Sequence, residues 1–383
     1  MNGAVMNTYN RYPIVLEKGR GCYVYDEEGN EYLDFVAGIA VNSLGHAHPK
    51  LSAAIGEQAA KMIHVSNYYW NRPQMDIAEK LTKQSGLDRA FFCNSGAEAI
   101  EGCLKMARKY ARKKGSAGYE IIAMKNSFHG RTFGAITATG QFKYREGLDP
   151  LLPGIAHVDF NDYEGLANAF SEKTCAVLLE PVQAEGGIHP ADPVYLRKVR
   201  KLCDDNDVML LFDEVQCGMG RIGHFFGFQH YGVAPDALAL AKGLAGGVPI
   251  GAVLAREKFA EAFKPGDHAS TFGGNLLATA AANVVADELA GGLLANVKKS
   301  ADCLRSGLME LKEKKPCVLD VRGLGLLMGM ELDSPVKPLI EACMKKGLLL
   351  INAGDNVLRF VPPLIITEDE IRKGLSILGE AMG

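Results

Sequence analysis

Two short apolar runs, each ended by one charged residue, decide the fold of this chain. They are DVMLLFDEVQ at Asp207–Gln216 and DALALAKG at Asp236–Gly243. Each has the length and composition of a strand that is buried on both faces of a parallel sheet. Asp213 and Lys242 stand where these strands end, and open α/β sheets bind ligands at the carboxyl ends of their strands. The sequence therefore predicts that a carboxylate and an amine meet at one edge of a mainly parallel sheet.

This pair of side chains suits pyridoxal 5'-phosphate. The amine of Lys242 can form a Schiff base with the aldehyde of that cofactor. The carboxylate of Asp213 can hold the pyridine nitrogen protonated, which makes the ring an electron sink. We therefore expect both residues to be catalytic.

Strand and helix patterns alternate through the middle of the chain. Such alternation predicts an α/β fold with a mainly parallel central sheet flanked by helices. After about residue 280 the pattern changes to a long helix followed by short strands, which predicts a smaller α+β domain. We expect an N-terminal segment, 1–45, that packs with the small domain, a large domain at 46–280 and a small domain at 281–383. The strand candidates of the large domain are Phe91–Cys93, Glu120–Met124, Ala176–Leu179, Val208–Phe212, Ala237–Leu240 and Ala252–Ala255.

Composition argues against several classes of partner. The 383 residues carry a net charge of −3, which gives no reason to expect nucleic acid or an anionic membrane. The nine cysteines form no CxxC pair and fit a reducing compartment. The apolar stretch Gly243–Ala255 is too short to cross a bilayer, and the N-terminus has no signal-peptide pattern. We expect a cytoplasmic protein.

Two further motifs fit a phosphate and an aromatic ring. Ser95, Gly96 and Ala97 lie between a strand and a helix start, where free N–H groups can hold an anion. The alternative is an ordinary turn. Phe128 can cover a flat ring and Arg131 can clamp a carboxylate. The alternative there is a capping aromatic residue beside a surface arginine.

Three charged residues have ordinary structural interpretations. Glu180 ends an apolar run and is expected near the sheet edge. Glu185 lies in a loop flanked by glycine, where a side chain is usually solvated. Arg359 is expected at the surface or at a strand edge.

His46, His48 and His129 could suggest a metal site. Because no third ligand lies at a sensible spacing, turn and packing roles are favoured, and no metal is predicted.

The stretch Gly218–Gly223 matches the GxGxxG dinucleotide pattern. The fingerprint needs its glycines directly between a strand and a helix, but five residues follow Phe212 before the first glycine. A loop beside the site is the favoured interpretation. A dehydrogenase that uses NAD stays open as a remote alternative.

Taken in order, six segments resemble class III (ω-type) aminotransferases of PLP fold type I. The likeness covers nearly the whole chain, and the ordered set is far more specific than any one segment. The segments are Asn94–Ala99, Ser127–Arg131, Glu180–Gln183, Phe212–Arg221, Ala241–Leu244 and Ser270–Asn275.

The resemblance implies a role for each site residue. Lys242 would carry the cofactor and shuttle a proton, and Asp213 would pair with the pyridine nitrogen. The other residues expected to bind the cofactor are Ser95, Gly96, Ala97, Phe128, Gln216 and, from the neighbouring subunit of a homodimer, Thr271. The residues expected to bind substrate are Arg131, Ser270, Glu185 and Arg359. Many relatives carry Thr where this chain has Ala97.

The resemblance also implies a reaction. N2-acetyl-L-ornithine would give its terminal amino group to 2-oxoglutarate, which leaves N-acetyl-L-glutamate 5-semialdehyde and L-glutamate. Glu185 would pair with Arg359 while the first substrate is bound and release it for glutamate. Relatives that use free ornithine carry a tyrosine where this chain has Ile39, which favours the acetylated donor. Ornithine, succinyl-diaminopimelate and 4-aminobutyrate stay open, as does a non-catalytic protein that binds the cofactor.

Overall fold

A seven-stranded sheet forms the centre of the molecule in a computed structural model that describes residues 3–383. Six strands run parallel, and Gly251–Ala255 runs antiparallel to both of its neighbours. All predicted strands of the large domain are present. Across the sheet the order is Arg89–Cys93, Gly251–Ala255, Ala237–Leu240, Met209–Asp213, Thr174–Leu179, Glu120–Met124 and Ile155–Val158.

The central strands are buried along their whole length. Every residue of Met209–Asp213 and of Ala237–Leu240 is buried, as expected for parallel strands covered on both faces. The α-helices of this part of the chain are Pro49–Lys61, Arg72–Ser85, Gly96–Lys113, Phe133–Ala138, Tyr163–Ala169, Pro193–Asp205, Phe228–Tyr231 and Glu257–Ala260.

The C-terminal part has an antiparallel sheet of its own. Its strands, in spatial order, are Val318–Leu324, Leu327–Leu332, Val357–Phe360 and Ile351–Asn352. Its helices are Leu294–Lys314, Lys337–Lys345 and Glu368–Ala381. The last helix begins with a capping box, in which the side chains of Thr367 and Glu370 each accept a hydrogen bond from the other residue's backbone N–H.

The N-terminal meander shares a sheet with a strand from the end of the chain. Its strands are Leu16–Arg20, Tyr23–Asp26 and Glu31–Asp34, and the last pairs in parallel with Leu348–Leu349. Leu350 separates Leu348–Leu349 from Ile351–Asn352, and these two short strands belong to different sheets. The predicted domain boundaries stay a prediction.

The predicted long helix is present with a break. Leu276–Glu288 and Leu294–Lys314 are joined by a π turn at Leu289–Leu293, in which Gly292 has φ +120°. By length and composition alone this helical stretch could cross a membrane. Several of its apolar side chains, among them Val285 and Leu304, are fully buried in the main hydrophobic core. It is therefore the core helix of a folded body.

Candidate active site

The carboxyl ends of the two runs meet at a cavity of about 350 Å³. Asp213 ends the strand Met209–Asp213, and Lys242 follows the strand Ala237–Leu240 by two residues. These strands pair in parallel with Asp213 opposite Ala239, so both side chains line the cavity. Six more of the predicted site residues line it, namely Ser95, Gly96, Ala97, Phe128, Glu185 and Gln216.

Lys242 is held in a strained backbone conformation with its amine inside the cavity. Its φ is +40°, which side chains other than glycine rarely adopt and which is concentrated at functional sites. Burial, helped by the positive charge of Arg359, lowers the pKa of the amine to about 8. A lowered pKa raises the fraction of neutral amine, the form that attacks an aldehyde.

Asp213 is oriented by two hydrogen bonds. Its Oδ2 lies 2.7 Å from Nδ1 of His129, and its Oδ1 accepts from the backbone N–H of Val215 at 3.0 Å. His129 is itself buried and its backbone N–H donates to Thr139 Oγ1. No sequence pattern predicts this partner, because the two residues are 84 positions apart and no spacing rule connects them.

Glu180 lies deep inside the protein, so the expected position near the sheet edge was wrong. Its strand, Thr174–Leu179, has two strands on one side of it in the sheet and four on the other. The carboxylate accepts from the backbone N–H groups of Phe128 and Ala184 at 3.0 and 3.2 Å. Burial raises its pKa to about 7. Glu180 therefore fixes the backbone that carries Phe128.

The helix Gly96–Lys113 points its N-terminus at the cavity. Ser95 caps this helix, with its hydroxyl oxygen accepting from the backbone N–H of Glu98 at 3.2 Å. The first turn leaves N–H groups without intrahelical acceptors, which suits an anion. A Cβ atom on Gly96 would lie 2.9 Å from both methyl groups of Val215, so only glycine fits there without displacement.

Arg359 reaches the site from the C-terminal sheet. Its strand, Val357–Phe360, lies inside that sheet and the side chain is buried, so the surface interpretation was wrong. Nη1 lies 2.8 Å from Oε2 of Glu185 and 3.1 Å from Oε1 of Gln216. Nη2 donates to the carbonyl of Asn352. Glu185 is thus paired, where the ordinary interpretation expected a solvated side chain.

A left-handed turn precedes Val41, which lines the cavity together with Lys242. Ala37, Gly38, Ile39 and Ala40 all have positive φ values, between +48° and +66°. The segment that follows packs on the lysine loop, because the hydroxyl of Ser43 donates to the carbonyl of Gly243 at 3.3 Å. Ile39 sits in this turn with 39% of its surface exposed.

Besides Arg359, which contacts two lining residues without lining the cavity itself, three predicted residues lie outside it. Arg131 is exposed, with its guanidinium 4.0 Å from the ring centre of Tyr144 and 5.5 Å from that of Phe128. Ser270 and Thr271 line a neighbouring cavity of about 340 Å³. Asn94 lines both cavities and donates to the hydroxyl of Ser270 at 3.0 Å.

The GxGxxG match does not lie at a strand-to-helix junction. Gly218–Gly223 forms turns, and the next helix, Phe228–Tyr231, is a single turn that begins five residues later. The arrangement lacks the helix N-terminus that a dinucleotide fingerprint needs.

The cavity as built fits pyridoxal 5'-phosphate. It offers an amine for the aldehyde, an acid for the ring nitrogen, an aromatic side chain for the ring face and a helix N-terminus for the phosphate. The cavity size lies within the range of small-molecule sites.

Comparison with known proteins gives a consistent result. Residues 4–382 match the family described as Aminotransferase class-III. The chain is 54% identical to the acetylornithine aminotransferase of Caldanaerobacter subterraneus subsp. tengcongensis, over 99% of this chain and 97% of that protein. It is 51% identical to the acetylornithine aminotransferase of Methanocaldococcus jannaschii, over 98% and 95% of the two chains.

Solved structures give the same fold. The ornithine aminotransferase of Toxoplasma gondii ME49 superposes with a TM-score of 0.95 at 33% identity, covering 99% of this chain and 92% of that one. The N-acetylornithine aminotransferase of Stenotrophomonas maltophilia K279a superposes with a TM-score of 0.85 at 40% identity, covering 97% and 96%.

Proposed function

The chain belongs to the class-III aminotransferase family, and from this premise we propose that it transfers the terminal amino group of N2-acetyl-L-ornithine to 2-oxoglutarate with pyridoxal 5'-phosphate as cofactor. The products are N-acetyl-L-glutamate 5-semialdehyde and L-glutamate, a reaction of arginine biosynthesis. Relatives that carry the name acetylornithine aminotransferase are 46–54% identical over nearly the full chain. The observation that carries the proposal is the buried Arg359 held by Glu185 beside Lys242 and Asp213.

The side chains around the cavity divide the chemistry between them. The cofactor supplies an aldehyde and an electron-withdrawing ring when it is bound. Lys242 would hold the cofactor through its amine, and its Nζ is the group that would carry a proton to and from the substrate. Asp213 would stabilise positive charge on the ring nitrogen, and His129 keeps that carboxylate in place. Gln216 would contact the cofactor, and its Oε1 accepts from Nη1 of Arg359.

The first turn of the helix Gly96–Lys113 and the ring of Phe128 position the cofactor. Ser95 caps the helix, and the N–H groups of Gly96 and Ala97 in its first turn would hold the phosphate. Glu180 accepts a hydrogen bond from the backbone N–H of Phe128 and so fixes the segment that carries this ring beside the cavity. Both contacts would orient the cofactor before a substrate binds.

Glu185 and Arg359 allow one site to accept two different donors. Acetylornithine brings a distal amine with no carboxylate beside it, whereas glutamate brings a carboxylate next to the reacting carbon. With acetylornithine the ion pair stays closed, so no unpaired buried charge results. With glutamate or 2-oxoglutarate the pair opens and Arg359 binds the carboxylate through two hydrogen bonds. Arg131 and Ser270 would contact the acetylated donor.

Exchange of Glu185 for Ala tests this switch. We expect the kcat/KM for glutamate to rise relative to that for acetylornithine, because Arg359 then has no Glu185 partner and is always free to bind a carboxylate. An unchanged ratio of the two kcat/KM values would rule the switch out.

A panel of amino donors tests the substrate. With 2-oxoglutarate as acceptor we expect acetylornithine to exceed ornithine, succinyl-diaminopimelate and 4-aminobutyrate in kcat/KM. Enzymes that use ornithine carry a tyrosine at the position of Ile39. Because Ile39 has no hydroxyl, it cannot form a hydrogen bond with a free α-amino group. A preference for free ornithine would overturn the choice of donor. A yellow protein that is inactive with every donor would favour a non-catalytic role.

A homodimer is part of the proposal. Tyr68, Tyr69 and Trp70 are 91%, 72% and 87% exposed, and exposed aromatic clusters mark protein interfaces. Thr271 lies outside the cavity of its own chain, which suits a contact with the phosphate of a second subunit. Light scattering gives the mass in solution, and a monomer would contradict this part.

We also propose that the protein is cytoplasmic and that it is divided into a large and a small domain. All nine cysteines are free, which fits the cytoplasm. We place the large domain at 46–280 and the small domain at 281–383. The N-terminal segment 1–45, of which residues 1 and 2 lie outside the described part of the chain, would pack on the small domain through the pairing of Glu31–Asp34 with Leu348–Leu349. Limited proteolysis that cuts first in the π turn Leu289–Leu293, the break in the helix nearest to residue 280, would support this division.

A further inference from the structure

Arg221 is fully buried and has no carboxylate partner within residues 3–383. Its Nη1 donates to the carbonyl oxygens of Leu326 at 3.1 Å and Pro362 at 2.6 Å, and Nη2 has no partner in the described part of the chain. Burial lowers the pKa of the guanidinium to about 9. A buried charge satisfied only by carbonyl groups is costly. Its presence in the unexplained motif Gly218–Gly223 points to a role other than stability.

Both carbonyl groups lie in segments that directly adjoin strands of the C-terminal sheet. Leu326 lies in the turn that joins Val318–Leu324 to Leu327–Leu332. Pro362 follows the strand Val357–Phe360 by two residues. The backbone N–H of Leu326 also donates to the carbonyl of Arg221 at 2.9 Å. Side chain and backbone of Arg221 thus hold the same turn from two directions.

The glycines around Arg221 make this close approach possible. Gly220 has φ +86°, and a Cβ atom there would lie 2.5 Å from Cδ2 of Leu289. Gly325 has φ +57°, and a Cβ atom there would overlap Cα of Ile222. Gly220 therefore lets the loop Gly218–Gly223 pack against Leu289, and Gly325 lets the turn of the C-terminal sheet approach Ile222 of the same loop.

The loop held by Arg221 begins at the active site. It starts just after Gln216, whose Oε1 accepts from Nη1 of Arg359 at 3.1 Å. Arg359 itself lies three residues before Pro362. We propose that Arg221 is a positioning residue that clamps the C-terminal sheet onto this loop and so keeps Arg359 within reach of a substrate carboxylate. The proposal rests on the proposed function and deepens it, because it assigns the affinity for 2-oxoglutarate to a contact outside the cavity.

Exchange of Arg221 for Lys tests the clamp in the intact holoenzyme. Lysine keeps the positive charge but lacks the planar guanidinium, whose Nη1 donates to both carbonyl groups in Arg221. We expect KM for 2-oxoglutarate to rise about tenfold, the effect of a lost hydrogen bond to a charged group, with KM for acetylornithine and the absorbance of bound cofactor unchanged. Gly325→Ala disturbs the same contact from the other side and should produce the same split between the two KM values.

Arg305→Lys is the matched control. Its Nη2 also donates to a carbonyl of the C-terminal sheet, that of Gly323, but it does not contact the loop Gly218–Gly223. We expect both KM values to stay within about twofold of the wild type. Arg221→Lys combined with Arg359→Lys should raise KM for 2-oxoglutarate by less than the product of the single effects, because both act on one contact.

The outcomes separate the clamp from the reaction itself. A wild type that fails to transaminate acetylornithine overturns the proposed function. An active wild type whose Arg221→Lys variant changes both KM values equally, or neither, overturns the clamp alone. So does a variant that no longer folds, because Arg221 would then be a residue of general stability.

Discussion

Nδ1 of His129 lies 2.7 Å from Oδ2 of Asp213, and this contact joins two segments that meet only in the folded chain. Asp213 comes from the strand Met209–Asp213, and His129 comes from the loop after Glu120–Met124. The side chain of His129 is not exposed to solvent, so water cannot take the place of the imidazole as the partner of Asp213. It decides how the carboxylate faces the cavity.

Removal of the imidazole should therefore impair catalysis, because Asp213 loses the partner that orients it. We expect His129→Leu to lower kcat by about 10- to 100-fold, the range for a lost hydrogen bond to a charged group. His129→Asn keeps a donor near the position of Nδ1 and should lose much less. Steady-state kinetics at saturating substrate compare the two variants. Equal losses would show that the size of the side chain matters and not its hydrogen bond.

The buried carboxyl of Glu180 should make stability depend on pH in a defined direction. Its pKa is raised from 4.5 to about 7, so the folded state binds the proton more tightly than the unfolded state. The stability that this proton confers is complete below about pH 4.5 and is lost as pH rises to about 7. Glu180→Gln removes this dependence and keeps an acceptor for Phe128.

Thermal unfolding of wild type and Glu180→Gln checks this. We expect the difference in Tm, variant minus wild type, to be more positive at pH 8 than at pH 5. Lys201→Gln is the control, since Lys201 is exposed and pairs only at the surface. If the difference in Tm between Glu180→Gln and wild type were the same at pH 5 and pH 8, ionisation of Glu180 would not destabilise the folded protein.

Lys242 should destabilise the protein freed of cofactor. Its pKa is lowered from 10.5 to about 8 by burial and by the charge of Arg359. Because the unfolded chain binds this proton more tightly, the penalty is complete below about pH 8 and disappears as pH rises to about 10.5. We expect Lys242→Met to stabilise the cofactor-free protein at pH 7 by roughly 2 to 3 kcal/mol.

Urea unfolding of the cofactor-free forms at pH 7 and pH 10 measures this effect. The gain should shrink at the higher pH. Lys258→Met is the control, because Lys258 is exposed and paired with Asp207. A Lys242→Met protein less stable than wild type at pH 7 would show that the amine is not penalised by burial.

A site residue could be predicted from the sequence when its position follows from a local pattern, and not when it depends on a partner far away in the chain. Asp213, Lys242 and Ser95–Ala97 could be located because each follows a buried strand or begins a helix, which are local patterns. His129 and Arg221 could not, because their partners lie far away in the chain. Arg359 could be recognised only by resemblance, since its burial depends on strands from the C-terminal sheet. Glu180 was misplaced because strand order across a sheet is a property of the whole topology.

Trp70 should hold two subunits together. It is 87% exposed within one chain, and a lysine there would put a charge into the proposed interface. We expect Trp70→Lys to shift the protein towards the monomer and to weaken cofactor binding, because Thr271 of the second subunit is then lost. Light scattering and cofactor titration measure both effects. Val194→Lys, at a half-exposed apolar residue of the helix Pro193–Asp205, should change neither.

Two neighbouring substitutions should change cofactor affinity in opposite directions. A Cβ atom on Gly96 would lie 2.9 Å from both methyl groups of Val215 and displace the turn, so we expect Gly96→Ala to raise the Kd for the cofactor about tenfold. Ala97→Thr adds a hydroxyl at the helix N-terminus that would hold the phosphate, and should lower that Kd by about threefold, the effect of one modest hydrogen bond. Fluorescence titration of the cofactor-free protein measures both. If Gly96→Ala bound the cofactor as tightly as the wild type, the phosphate would have to lie elsewhere than at this helix N-terminus.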